Sequence, residues 1–304
     1  MLVTGAAGQL GRYLVPQLVA HGAATITLGS RPAPGIDLAA DLADPDATSR
    51  AFRAAAPDAV IHAAACTDVD GIEREPSRGE TSNAIATTNV ARAAHALGAW
   101  LVAVSTDMVF PGDGGAPYAE DAPTRPISAY GASKRAAELA VLDGTPGFAV
   151  ARTAWLYGGA GKHFPRTVLS LLRDRGEIDV VDDEFGNPTF AADLAVALIQ
   201  LAAVRGNGVF HLVNEGRASR YELARATAEL AGFDPERVKP INTTAFLAKY
   251  PLPAPRPPDS SLLNYRAAAS GIALRGWREA LRDYVPRLTE EMQLGPSLAP
   301  EQGG

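Results

Sequence analysis

Short apolar runs alternate with amphipathic stretches through the first half of the chain. Met1-Leu2-Val3-Thr4, Ala24 to Leu28, Ala59 to Ala65, Trp100 to Val104 and Phe148 to Thr153 are apolar almost throughout and too short for a full helix. Runs of this kind mark strands buried on both faces. Between them, Arg12 to Val19, Ala47 to Ala56 and Thr87 to Gly98 carry apolar residues at helical spacing. This alternation predicts an α/β fold with a doubly wound parallel sheet. Past residue 155 the pattern loosens. Helices are predicted over Phe164 to Arg175, Ala191 to Ala203 and Arg220 to Ala231, with a strand over Val209 to Val213. A polar loop covers Asp182 to Thr189, and Pro251 to Pro258 is dense in proline. The pattern therefore divides the chain into residues 1–155 and a smaller C-terminal α/β domain, residues 156–294, some of whose segments return to the first. Residues 295–304 read as a frayed tail.

The residues able to do chemistry lie where strands end. The first strand runs into Gly5-Ala6-Ala7-Gly8-Gln9-Leu10-Gly11 and then a helix. Glycines at such a turn let backbone N–H groups approach a pyrophosphate, and the helix N-terminus favours its charge. The spacing is Gly-x-x-Gly-x-x-Gly, which differs from the commoner Gly-x-Gly-x-x-Gly. The opening strand is short enough for the natural start to lie a few residues upstream. The second strand ends in Gly29-Ser30-Arg31 without the acid that would bind a ribose 2′-hydroxyl. Arg31 can instead pair with a 2′-phosphate, which favours NADPH and still admits NADH; the alternative is a solvated loop arginine. Thr106 ends the fourth apolar run in Ser105-Thr106-Asp107-Met108-Val109-Phe110, where a hydroxyl can hydrogen-bond a carbonyl. Tyr130 and Lys134 stand four residues apart, on one helix face. A neighbouring ammonium group lowers a phenol's pKa and makes the tyrosine an acid and base for a carbonyl/alcohol pair.

Composition narrows the class. The chain has 304 residues, 47% of them apolar, and a net charge of −6, which argue for a globular fold and against a nucleic-acid surface. Neither an apolar run of membrane-span length nor a signal peptide is read, and Cys66 is the sole cysteine, so a cytoplasmic setting is expected. The five histidines lack metal-ligand spacing, so no metal site is expected. His62, inside an apolar run, reads as a core histidine.

Taken together, these stretches resemble the extended short-chain dehydrogenases/reductases and, within them, the dTDP-4-dehydrorhamnose reductase family. The resemblance runs from Leu2 to about Leu288. It is carried by Gly5 to Gly11, Asp41-Leu42, Ala64 to Glu73, Ser105 to Phe110, Tyr130 to Lys134, Gly186-Asn187-Pro188-Thr189 and Arg256 to Ser260. It implies a Rossmann-type NAD(P)-binding domain, a sugar-nucleotide domain, and reduction of a 4-keto group on a nucleotide-linked, dTDP-type deoxysugar. Thr106, Tyr130 and Lys134 are then catalytic, with Lys134 also holding the nicotinamide ribose. The implied cofactor contacts are Gly5, Gly8, Gln9, Leu10, Gly11, Ser30, Arg31, Asp41, Leu42, Ala64, Ala65, Thr67, Tyr130 and Lys134. The implied substrate contacts are Thr106, Asp107, Met108, Trp155, Asn187 and Arg256, with Arg256 at the diphosphate. Ordinary core packing for Trp155 and a surface position for Arg256 are the plain alternatives.

The sequence departs from the family at Met108, usually aromatic, at Cys66, usually Tyr or His, at Glu184, usually Gln, and at His163, usually Asn. These departures leave the reaction class better supported than the sugar. Relatives are often homodimers, some with a divalent ion. Two rival functions remain: a sugar-nucleotide epimerase or dehydratase that regenerates its NAD, and a non-catalytic NADP-binding regulatory subunit. A dehydratase tends to carry an acid pair after its threonine, whereas here Asp107 is followed by Met108.

Overall fold

Seven strands pair side by side in one parallel sheet: β1 (Leu2–Thr4), β2 (Ile26–Gly29), β3 (Leu38–Ala39), β4 (Ala59–His62), β5 (Trp100–Thr106), β6 (Ala149–Thr153) and β7 (Gly208–His211). Their spatial order is β7-β6-β5-β4-β1-β2-β3. The computed structural model describes residues 1–144, 147–159 and 161–293, so the expected tail lies outside the described residues. Leu2 pairs with Ile26 on one side and Val60 on the other, so β1 sits where the strand order reverses. At that point the connections leave to opposite faces, and a crevice opens beyond the carboxyl ends of β1 and β4.

Successive side chains of a strand point to opposite faces. Val3, Ile61, Val102, Ala149 and Ala151 meet helices α1 (Gly11–Ala20) and α6 (Ala191–Ala203) on one side. Leu2, Val60, Leu101, Ala103 and Val150 meet α2 (Pro45–Ala55), α3 (Ala86–Ala96) and α4 (Ala129–Gly144) on the other. This double burial explains why the strands read as unbroken apolar runs. Each fully buried Val, Leu or Ile contributes about 1.5–3 kcal/mol. His62 is a core histidine: Nδ1 contacts the Thr4 hydroxyl at 2.7 Å, Nε2 contacts Thr87 at 3.0 Å, and burial holds its pKa down at about 3.

The C-terminal elements form a smaller layer. Leu156–Tyr157 pairs in parallel with Thr189–Phe190, Phe185–Gly186 antiparallel with Ala218–Ser219, and Ile178–Val181 in parallel with Val238–Ile241. Helices α5 (Phe164–Arg175), α7 (Arg220–Leu230) and α8 (Trp277–Glu291) pack around them through Leu169, Leu223, Leu281 and Leu288. Meanwhile α6 and β7 return to the large sheet.

Several expectations change. Pro45 is the first residue of α2, behind Asp44, whose carboxylate accepts from the backbone N–H groups of Asp46 and Ala47. The polar stretch before it holds β3. The loop from Asp182 to Thr189 contains two short strands. The run at Ala59 leaves the sheet after His62, and the predicted strand over Val209 to Val213 ends at His211. Helix α3 is entered through a π-helical turn, Glu80–Ile85. That turn directs Asn83 inward, where it accepts from Cys66 N at 2.8 Å and donates to Cys66 O at 3.1 Å and Ser133 Oγ at 3.0 Å. The loop after β4 is thereby fixed to the helix of Tyr130 and Lys134.

Behind that helix lies a buried ion pair. Arg152 donates from Nε and Nη2 to the two Glu138 oxygens, each at 2.8 Å, and Ser105 Oγ donates to Glu138 at 2.7 Å. Their side chains are 5% and 1% exposed. Removing one partner leaves a buried charge without compensation. Glu138→Ala should therefore lose about 3–5 kcal/mol of unfolding free energy in urea melts; a loss below ~1 kcal/mol would show that water reaches Arg152.

Candidate active site

The glycine turn sits at the sheet's reversal point. Gly5 has φ +69, and a Cβ there would lie 2.7 Å from Ala64 N. A Cβ on Gly11 would lie 2.4 Å from Ala6 O. The turn can close over β4 only without side chains at these positions. Helix α1 then begins at Gly11, behind its N-cap Leu10, with no side-chain cap and no acid in its first turn. Its positive N-terminal end is therefore met by no side chain of opposite charge, which suits an anion. Gly5, Gly8, Gln9, Leu10, Ala65 and Thr67 all line a cleft of about 530 Å³. These residues fit the pyrophosphate of a dinucleotide.

Thr106, Asp107, Met108, Tyr130, Lys134 and Trp155 line the same cleft. Gly131 lets α4 pass close to the β5 loop, since a Cβ there would meet Met108 O at 2.2 Å. Lys134 Nζ donates to Val104 O at 2.8 Å, which ties the helix to the end of β5. Burial lowers its pKa to about 8, against the opposing pull of Glu138. The expected acidification of Tyr130 by Lys134 is not found. Burial first, and then Asp107, push the phenol well above its ordinary value, with the Thr106 hydroxyl acting the other way. In the absence of ligand, Tyr130 is thus held in its protonated form. Thr106 Oγ donates to Asp107 at 2.9 Å and accepts from Met108 N at 3.2 Å. Asp107 also accepts from Ser260, and its burial raises its pKa. Thr153 Oγ, on the same wall, is buried without a hydrogen-bond partner.

The far wall is built around Trp155. Its backbone has φ +43, an uncommon conformation for a side chain of this size. A Cβ on Gly186 would meet the indole at 2.5 Å, and the Arg220 guanidinium lies over the ring at 3.5 Å. Arg220 starts α7 directly after Ser219, which forms a capping box with Glu222. Its Nε lies 3.8 Å from Glu184. Arg256 reaches the cleft from the proline-rich loop and pairs with Asp70 at 3.0 Å. Beyond this wall is a second, more apolar chamber of about 570 Å³, with Val180, Phe246, Tyr250 and Leu252 among its lining residues.

Some expected residues lie outside the cleft. Ser30, Arg31 and Asp41 are exposed on the rim of β2 and β3, and Asp41 caps Ala43 N at 2.9 Å. Leu42 is core, packed with α2 and α3. Gly11 and Ala64 shape the turn from behind. Asn187 is occupied elsewhere: it accepts from Leu262 N at 2.7 Å and donates to Gly216 O at 2.9 Å, a buried brace between loops. Conversely, Thr153, Phe164 and Arg220 line the cleft without having been singled out, and Glu184, noted as a departure from the family, lines it as well. The capping box announced a helix start at Arg220, but no local pattern announced its stacking on Trp155. Among the described residues no group of three or more His, Cys, Asp and Glu is arranged to hold a metal ion, and no helix is long and apolar enough to cross a membrane.

Comparison with known proteins agrees with this architecture. Residues 1–290 match the family model described as RmlD substrate binding domain. The chain is 42% identical to the dTDP-4-dehydrorhamnose reductase of Mycolicibacterium smegmatis, over 97% of this chain and 88% of that protein. It is 41% identical to a Streptomyces antibioticus protein named "Probable dTDP-4,6-dihydroxy-2-methyloxan-3-one 4-ketoreductase", over 94% of both chains. Among solved structures, the Bacillus anthracis dTDP-4-dehydrorhamnose reductase in complex with NADP superposes with a TM-score of 0.86 at 32% identity, covering 94% of this chain and 98% of that one. With its glycine turn, its Tyr130–Lys134 helix and this end-to-end match, the chain belongs to the dTDP-4-dehydrorhamnose reductase family of extended short-chain dehydrogenases/reductases.

Proposed function

We propose that this protein reduces the 4-keto group of a dTDP-linked deoxysugar with NADPH. The observation that carries the reading is the convergence of Thr106, Tyr130 and Lys134 on the cleft that opens from the glycine turn. When bound, the reduced nicotinamide supplies the hydride. Gly5, Gly8, Gln9 and Leu10 would hold the pyrophosphate, and Lys134 the nicotinamide ribose. Tyr130 gives its phenolic proton to the oxygen that gains charge as the carbonyl is reduced. A phenol kept protonated by burial is the form that reduction needs. The Thr106 hydroxyl turns from Asp107 to that oxygen and stabilises the same charge. Trp155 offers a flat apolar face to the sugar, and Arg256 a charge-assisted contact to the diphosphate.

The apolar chamber beyond Trp155 suits a nucleoside, with Phe246 and Tyr250 as aromatic surfaces. A ketosugar other than the rhamnose precursor is the second substrate reading, favoured by the Streptomyces antibioticus relative and by Met108 beside Thr106.

The direct test is NADPH oxidation with dTDP-4-keto-6-deoxyglucose and its 5-epimer. Stoichiometric oxidation with either supports reduction. Turnover without net oxidation would reassign the chain to epimerase chemistry, and no turnover with tight NADPH binding to a regulatory role. Tyr130→Phe removes the acid but keeps the ring, so kcat should fall ~10²–10⁴-fold with cofactor affinity unchanged. Thr106→Val should cost less, because the acid remains. A Tyr130→Phe protein with the parent's kcat would remove Tyr130 from the mechanism.

Cofactor choice gives a separate prediction. Ser30 and Arg31 follow β2 without an acid, and Asp37, the next carboxylate along the chain, accepts from Thr27 N at 2.8 Å. NADPH should therefore bind more tightly than NADH, and Arg31→Ala should erase most of the difference in fluorescence titrations. Equal affinities in the parent protein would contradict this.

Arg256→Ala should weaken nucleotide-sugar binding by about 1.5–3 kcal/mol, the typical worth of a hydrogen bond to a charged group. NADPH binding should not change. Calorimetry returning the parent's sugar-nucleotide affinity would move the diphosphate away from Arg256.

A further inference from the structure

The cleft and the apolar chamber meet at a constriction whose walls, shared by both, include Phe164, Glu184, Arg220 and Arg256. One carboxylate therefore stands between two guanidinium groups on the passage between the chambers. The surrounding charges come from several elements. Arg220 reaches in from α7, with Nε 3.8 Å from Glu184. Arg256 comes from the proline-rich loop and is also paired with Asp70 at 3.0 Å. Asp183, the preceding residue, accepts from the N–H and hydroxyl of Thr243 at 2.8 and 2.6 Å. Asp107 acts on Arg220 from the cleft side, and Lys162 stands on the cleft wall. His163 contacts Tyr284 at 2.7 Å, and burial keeps it neutral, with a pKa of about 4.

On the reading given above, a nucleotide sugar has its base in the apolar chamber and its sugar beside Tyr130. Its diphosphate then lies in the constriction. It would compete with the Glu184 carboxylate for the same two guanidinium groups and would repel that carboxylate at close range. We propose that Glu184 takes up a proton from solvent as the nucleotide sugar binds, so that the neutral carboxyl group releases Arg220 to the diphosphate and no longer repels it. The step adds one proton to one carboxylate and moves no electrons. Burial raises the Glu184 pKa, with Asp183 adding to it and Arg220 and Arg256 opposing. The sign follows from linkage: if the complex holds the additional proton, affinity falls as pH rises above the pKa of the free carboxyl group.

The probe is dTDP-glucose, a diphosphate diester with no keto group and no phosphate that titrates near neutrality. It is titrated calorimetrically into the NADPH-saturated protein from pH 6 to 9, in buffers of different ionisation enthalpy. The parent should take up more protons per ligand at pH 8 than Glu184→Gln, by more than about half a proton. Lys134, with its pKa near 8, titrates in the same window but is present in both proteins, so the difference belongs to Glu184. Glu184→Gln should also bind about tenfold more tightly at pH 8, because it need not take up a proton before the diphosphate can bind.

Equal proton uptake in the two proteins overturns the proposal and leaves the reductase reading standing. Weaker binding by Glu184→Gln, with equal uptake, also overturns it and makes Glu184 a structural brace for Arg220. Failure of the parent to bind dTDP-glucose at any pH would instead remove the nucleotide-sugar reading, and the proposal with it. If Glu184→Gln does not fold, as judged by its melting curve, Glu184→Ala replaces it in the same comparison, and equal proton uptake by the parent and Glu184→Ala rejects the proposal.

Discussion

The close backbone approach between the turn after β1 and the loop after β4 is the constraint on which the rest of the site depends. The contact lies at the point where the strand order reverses, and it leaves no room for a Cβ at Gly5. Because the two segments pass so near each other, α1 starts over the sheet with its positive N-terminal end met by no side chain of opposite charge. The loop after β4 must then leave the sheet at once, and Asn83 holds it against α4 through Cys66 and Ser133. Cofactor turn, connecting loop and catalytic helix are thus three consequences of one packing contact.

Burial then decides the chemistry. Tyr130 and Lys134 share a helix face, and their spacing alone suggests an ammonium group that acidifies a phenol. In the folded protein, removal from water outweighs that effect for both: the phenol rises and the ammonium group falls to about 8. Lys134 spends its contact on the Val104 carbonyl, so its role in the free protein is to set the helix against β5. On the proposed reading, protonated Tyr130 is the form that can give a proton to a carbonyl oxygen as it is reduced.

How much of this could be read in the sequence depends on how local each cause is. The buried strands were legible because burial on both faces forces an unbroken apolar run, as in Trp100 to Val104. β3 was not, since a two-residue edge strand paired on one side leaves no periodicity to detect. Helix α8 gave weak signals: it begins without a side-chain cap and contains Pro286. In the site, the glycine turn and the Tyr130–Lys134 pair are local in sequence and were legible. The wall of Trp155, Gly186, Glu184 and Arg220 is assembled from segments distant along the chain, so only a resemblance could point to part of it. Asn187 marks the opposite failure. It lies within a family-like motif, yet its amide is consumed by Leu262 and Gly216, where it keeps the loop of Gly186 in place behind the indole.

That wall also joins two halves of the molecule that the strand pattern separates. Trp155 follows directly on β6 of the large sheet, whereas Arg220 belongs to the small layer, and their contact is a cation lying on an aromatic face. Glu184 lies 3.8 Å from the Arg220 Nε, and Asp107, from the other half, also bears on the charge of Arg220. A ligand that engages Arg220 therefore perturbs the groups beside Thr106 and those lining the apolar chamber together. On the proposed function, charge recognition at the constriction and proton delivery at Tyr130 would be linked through this one guanidinium group. Asp107, which disfavours ionisation of Tyr130 and accepts from Thr106, is the carboxylate left to respond when Arg220 turns toward an anion.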